Sequence, residues 1–115
     1  MSAPTSPETA FTHLRQLFAV LEENLPGTRI FYAGVYLTDK YRAHWEADRR
    51  YNQLAQDYAR SHEAVEYIDI PAVLADQRGE PLEGIFRKDG EHLNSRGYAL
   101  WREAAAAVIV KEAAP

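Results

Sequence analysis

The run Arg29-Ile30-Phe31-Tyr32-Ala33-Gly34-Val35-Tyr36-Leu37 constrains the fold more than any other stretch. It is apolar almost throughout and has no helical period. A strand open to water on one face alternates apolar and polar residues, whereas one covered on both faces does not need to. The run therefore reads as an interior strand of a parallel sheet, with Gly34 allowing a neighbouring backbone to come close. Helical patterns flank it. Ser6-Pro7-Glu8 supplies a capping hydroxyl, a proline at the first helical position and an acid in the first turn. Phe11, Leu14, Leu17, Phe18, Leu21 and Leu25 follow at helical spacing, and Pro26-Gly27 stops the helix. After a polar loop over 38–43, Trp45, Tyr51, Leu54, Ala55 and Tyr58 mark a second helix that ends near His62.

Val65-Glu66-Tyr67-Ile68-Asp69-Ile70 reads as a second strand, stopped by Pro71. Strand, helix and strand form one crossover unit, expected to be right-handed with its strands parallel. A single turn over 72–74 and a turn cluster over 76–80 come next. Tyr98, Trp101, Ala105, Val108 and Ile109 give a last helix its buried stripe. The order α-β-α-β-loop-α predicts an α/β fold with two parallel strands and about three main helices. At 115 residues the chain is expected to form a single domain.

A formal charge of −4 offers no basic face for nucleic acid. With no cysteine there is no disulfide framework, no thiolate nucleophile and no thiolate-bound zinc. The longest apolar run, 104–110, is too short to span a bilayer. Met1-Ser2-Ala3-Pro4 lacks the basic and apolar regions of a signal peptide, so the expected setting is cytoplasmic.

Chemistry concentrates in Phe86-Arg87-Lys88-Asp89-Gly90-Glu91-His92-Leu93-Asn94-Ser95-Arg96-Gly97-Tyr98. Gly90 relaxes the backbone between Asp89 and His92, since glycine reaches positive φ without steric cost. The Asp89 carboxylate can then turn onto the Nδ1–H of His92, leaving Nε2 as a general base. Leu93 is an apolar anchor behind the pair, and Asn94 or Ser95 caps the helix that follows. Other candidates have plainer readings. His13 sits one step off the apolar stripe as a surface residue. His44 and Asp48 have metal-ligand spacing on a helix but no third ligand in reach. Among the serines, Ser6 and Ser95 read as caps and Ser61 as a helix end. Ser2 and these three all lack the glycine-flanked strand-to-helix turn of an activated nucleophile. The aromatic residues over 38–45 read equally as a pocket wall or as core and surface.

Asp-Gly-Glu-His-Leu-Asn followed by Gly-Tyr and an aromatic-bearing helix resembles the last motif of the GDSL-like, or SGNH, hydrolases. Pro26-Gly27-Thr28-Arg29, the apolar strand, Tyr51-Asn52 and Tyr67-Ile68-Asp69 fall in that family's order, all within its C-terminal half. The resemblance implies a truncated three-layer α/β/α, flavodoxin-like fold, with the Asp-x-x-His pair on a loop before the final helix. It also implies that Asp89 and His92 serve a serine nucleophile, with no metal or organic cofactor. The family's Gly-Asp-Ser and Gly-x-Asn-Asp blocks do not occur here, and Asn52 and Asn94 match helix and cap positions.

The expected function is thus the Asp–His arm of a serine ester hydrolase. It would act on a small-molecule, lipid or sugar ester once an N-terminal segment completes it. The alternative is an inactive remnant or interaction module of the same fold. The strand over 30–37 would keep one unpaired edge, which is expected to drive self-association.

Overall fold

Two short strands pair in parallel. The computed structural model describes residues 6–113, with side chains through Lys111. Along the chain run helix α1 (Pro7–Asn24), strand β1 (Ile30–Ala33), a 3-10 turn (Arg42–His44) and helix α2 (Trp45–Arg60). Strand β2 (Val65–Ile68), the single-turn helix α3 (Ile70–Val73) and helix α4 (Ser95–Ala113) complete it. Ile30 N–H donates to Ala64 O at 2.7 Å and Gly34 N–H to Ile68 O at 3.0 Å, so the register advances in the same direction on both strands. The pairing is parallel, as a crossover through α2 requires.

By contacts the chain divides into two compact units, and the boundary crosses both strands. The first holds residues 6–32 and 46–67. Ser6 caps α1 by accepting from Thr9 N–H at 3.1 Å. Leu14 and Phe18 of α1 bury against Ala55 and Val65. The Phe18 ring stands edge-on to Tyr32 at 5.7 Å and stacks on Tyr58 at 5.4 Å. Tyr32 and Tyr51 join hydroxyls at 2.9 Å, which satisfies two phenols inside this aromatic core. Burial pushes the Tyr32 phenol well above its ordinary range. The apolar stripe of α1 is narrower than its spacing predicts, because Leu17 and Leu25 are more than half exposed.

The second unit holds residues 33–45 and 68–113. Here the expected second strand ends two residues early. Asp69 turns its carboxylate onto Ala72 N–H at 3.3 Å, and Pro71 occupies the first turn of α3 rather than only halting a strand. α3 packs against α4. Ile70, Leu74, Ile85 and Leu93 are essentially inaccessible to water. Gly97 is required where α4 meets the 85–93 segment, since a Cβ there would lie 2.6 Å from Ile85 O and 2.9 Å from the Leu93 side chain. On α4 the buried positions are Gly97 and Ala105, while Tyr98 and Ile109, expected in the stripe, are exposed.

The nine-residue strand over 29–37 is corrected to the four residues of β1. These are half-buried throughout rather than fully covered on both faces. Past Gly34 the neighbouring chain has turned into α3, so no ladder continues. Leu37 is apolar because it is buried in the second unit, not because it belongs to the sheet.

Candidate active site

An antiparallel bridge between Phe86 and Leu93 closes a narrow loop. Within it Arg87 N–H donates to His92 O at 2.8 Å, and Gly90 N–H donates to Arg87 O at 3.0 Å. Gly90 takes φ +71°, the left-handed conformation that a side chain resists. Its carbonyl accepts Lys40 N–H at 3.1 Å, and Lys40 Nζ reaches Glu91 at 3.4 Å. Two contacts from one residue thus hold the loop from outside.

Asp89 uses both of its oxygens. Oδ1 accepts the backbone N–H groups of Glu91 at 2.9 Å and His92 at 3.0 Å. Oδ2 stands 2.5 Å from His92 Nδ1. The His92 ring first, and the two amides after it, hold the Asp89 carboxyl well below the usual carboxylate range. An ionised carboxylate can only accept, so Nδ1 carries the proton and Nε2 is left for a further partner. The His92 side chain is 59% exposed, which leaves room for one.

Asn94 ties the loop to α4. Its Oδ1 accepts Gly97 N–H at 3.0 Å as the N-cap of α4, and its Nδ2 donates to Gly84 O at 2.9 Å and more weakly to Phe86 O at 3.4 Å. Of the two caps the sequence offers, Asn94 is the one used. Leu93, fully buried behind the pair, is the expected anchor.

Beside this loop lies a cleft of about 420 Å³ lined by Gly34, Val35, Tyr36, Thr38, Glu91 and Trp101. Sequence reading left the residues over 38–45 undecided between pocket and core. The structure divides them. Thr38 faces the cleft, while Trp45 is buried and donates its Nε1–H to Thr38 O at 2.7 Å. Val35, Tyr36 and Trp101 carried no site signal, because apolar residues in a strand-like run and on a helix are read first as core.

The other candidates lie elsewhere. His13 is exposed on α1. His44 stacks on Tyr41 with ring centroids 5.4 Å apart. Ser61 Oγ lies 3.1 Å from His62 Nδ1, but that nitrogen is 2.8 Å from Tyr58 O, to which it donates. His62 therefore has no lone pair on that side to activate Ser61. Ser6 Oγ bonds Thr9 and Ser95 begins α4. Ser2 lies outside the described residues. Asp89, Glu91 and His92 could bring ligand atoms within 4.8 Å of one another around a cation. Each already has a partner, His92 on Asp89 and Lys40 on Glu91. No helix among the described residues is long and apolar enough to cross a membrane.

Comparison with known proteins adds four findings. A search of curated proteins returned no match. A Streptococcus pneumonia structure named for platelet activating factor superposes with a TM-score of 0.75 at 20% identity, covering 89% of this chain and 51% of its own. A GDSL-like lipase from Bacteroides thetaiotaomicron VPI-5482 superposes with a TM-score of 0.68 at 13% identity, covering 96% of this chain and 56% of its own. The chain thus shares their fold and spans little more than half their length. The model of the GDSL-like lipase/acylhydrolase family matches residues 1–100, and the chain belongs to that family.

Proposed function

We propose that this chain is the C-terminal part of an SGNH-type hydrolase domain and supplies the acid–base arm for cleaving a carboxylic ester. His92 is the general base, and Asp89 orients it and stabilises the imidazolium. The observation that carries this reading is the 2.5 Å contact between Asp89 Oδ2 and His92 Nδ1 on a loop that leads directly into α4. The chemistry needs only protein groups. Nε2 takes the proton of a serine hydroxyl as that oxygen attacks the ester carbonyl, then returns it to the leaving alkoxide. The Ser6 and Ser61 hydroxyls are bonded at helix ends and Ser95 opens α4, so in this reading the serine comes from a segment preceding this one in a longer chain or from a partner chain. The outer edge of β1 is where such a segment, or a second copy, adds a strand.

The test is complementation. The chain alone is expected not to turn over 4-nitrophenyl acetate above background. Addition of an N-terminal segment bearing Gly-Asp-Ser from a family member should generate saturable hydrolysis, and His92→Ala should remove nearly all of it. Knocking out a serine-hydrolase base costs on the order of 10⁶ in kcat in the protease series where it was measured. Activity that survives His92→Ala would leave the pair without a catalytic role. That outcome would favour the fold serving as an interaction module.

A further inference from the structure

The cleft beside His92 has a composition and a position that together name what it holds. Its wall is Gly34, Val35, Tyr36 and Trp101, with Thr38 and Glu91 as its polar members. Val35 is 40% exposed, so apolar surface is presented to the opening rather than sealed away. The Tyr36 ring leans on Phe86 with centroids 6.4 Å apart, at the base of the loop that carries His92. Glu91, the residue before His92, is the charged side chain among those lining the cleft. The loop that carries the imidazole thus contributes one residue, Glu91, to the cleft, directly before His92 in the chain. Its volume of about 420 Å³ falls within the range of small-molecule sites.

We infer that this cleft binds the alcohol portion of the ester, and that it selects an uncharged alcohol with a compact apolar skeleton. The inference rests on the reading of His92 as the general base. In the step that frees the alcohol, the bond between carbonyl carbon and ester oxygen breaks. Its electron pair goes to that oxygen, and the proton on His92 Nε2 goes with it. The leaving oxygen must therefore lie within hydrogen-bond reach of His92, and the rest of the alcohol extends from that point. The apolar wall of Val35, Tyr36 and Trp101 takes it up. Glu91, the charged side chain at the cleft, is already paired with Lys40, and no lysine or arginine lines the cleft, so nothing there is placed to bind a phosphorylated or carboxylated alcohol.

Binding can be read without catalysis, on the chain as it stands. The probes are benzyl alcohol and benzyl phosphate, titrated into isotopically labelled protein and followed by amide and indole resonances. Benzyl alcohol should shift the Trp101 indole and the Val35 and Tyr36 amides in a saturable way. The Trp45 indole, buried and bonded to Thr38 O, should shift less than that of Trp101. Benzyl phosphate should bind at least tenfold more weakly, and Glu91→Gln should narrow that gap. Val35→Asp, at a partly exposed position, should weaken benzyl alcohol at least fivefold with the amide spectrum otherwise retained. Shifts that do not saturate, that map elsewhere, or that favour the phosphate would overturn the assignment. Saturable binding here together with hydrolysis indifferent to His92 would sink the catalytic reading alone. Hydrolysis that depends on His92 with no binding here would sink this one alone.

Discussion

A single carboxylate does two jobs at Asp89. One oxygen gathers the amides of Glu91 and His92, and the other faces the imidazole. Asparagine has only one acceptor oxygen, so Asp89→Asn must either release the amides or present its NH2 to Nδ1. In the second case Nδ1 becomes the acceptor, the ring takes the wrong tautomer, and Nε2 can no longer accept a proton. The complemented enzyme should then lose on the order of 10³–10⁴ in kcat, comparable to the loss for that change in a serine protease. The same residue sets a pH dependence. Its folded pKa is depressed, so its contribution to stability is fully present above the ordinary carboxylate value of about 4. It is lost as pH falls below that value through the folded one. Thermal melts should accordingly show the parent chain more stable than Asp89→Asn at neutral pH, with the gap closing below about pH 4. A gap that widens on acidification would contradict the assignment of the carboxylate as ionised in the fold.

Between loop and helix, Asn94 and Gly97 make separable contributions. Asn94→Ala removes an N-cap, which costs about 0.5–2 kcal/mol, and also the amide bond to Gly84 O. Gly97→Ala gains helix propensity of at most about 1 kcal/mol but drives a methyl to 2.6 Å from Ile85 O, where overpacking costs about 1–3 kcal/mol. Overpacking wins, so urea denaturation should show both variants destabilised, whereas propensity alone would make Gly97→Ala the more stable chain. These elements also show what was legible in the sequence. The motif over 86–98 declared its loop, its anchor and its cap because each is a local choice of residue. The Ser6 cap and the Pro26-Gly27 stop were legible for the same reason. The length of β1 was not, because pairing ends where Asp69 and Pro71 start α3, more than thirty residues away. Nor was the exposure of Leu17, Tyr98 and Ile109, since helical spacing gives the period of an apolar face but not how much of it a neighbour covers. The cleft residues were hidden because Val35, Tyr36 and Trp101 look like core.

At the scale of the molecule, the sheet has two strands and therefore two outer edges among the described residues. β1 offers four residues with no proline and no charge, shorter than the nine expected but unprotected by the usual devices. Leu17 and Val20 of α1, with Leu25 at its C-cap, add exposed apolar surface in the same unit. The chain alone should associate, and size-exclusion chromatography with light scattering should give a mass above 13.1 kDa that rises with concentration. A charged residue on the strand, Phe31→Lys, should shift that balance toward monomer. A monodisperse monomer across the range would mean that the edge is closed. The loop of Asp89 and His92 does not share this dependence on neighbours. Its hydrogen bonds are local, the longest being Asn94 to Gly84 O and Arg96 to Glu83 O, and Lys40 supplies the grip from outside. Residues 83–97 can therefore be exchanged as a cassette. A host should provide a socket for Ile85 and Leu93, a ring beside Phe86, and a lysine where Lys40 stands to meet both Gly90 O and Glu91, and the imidazole should then arrive already aimed.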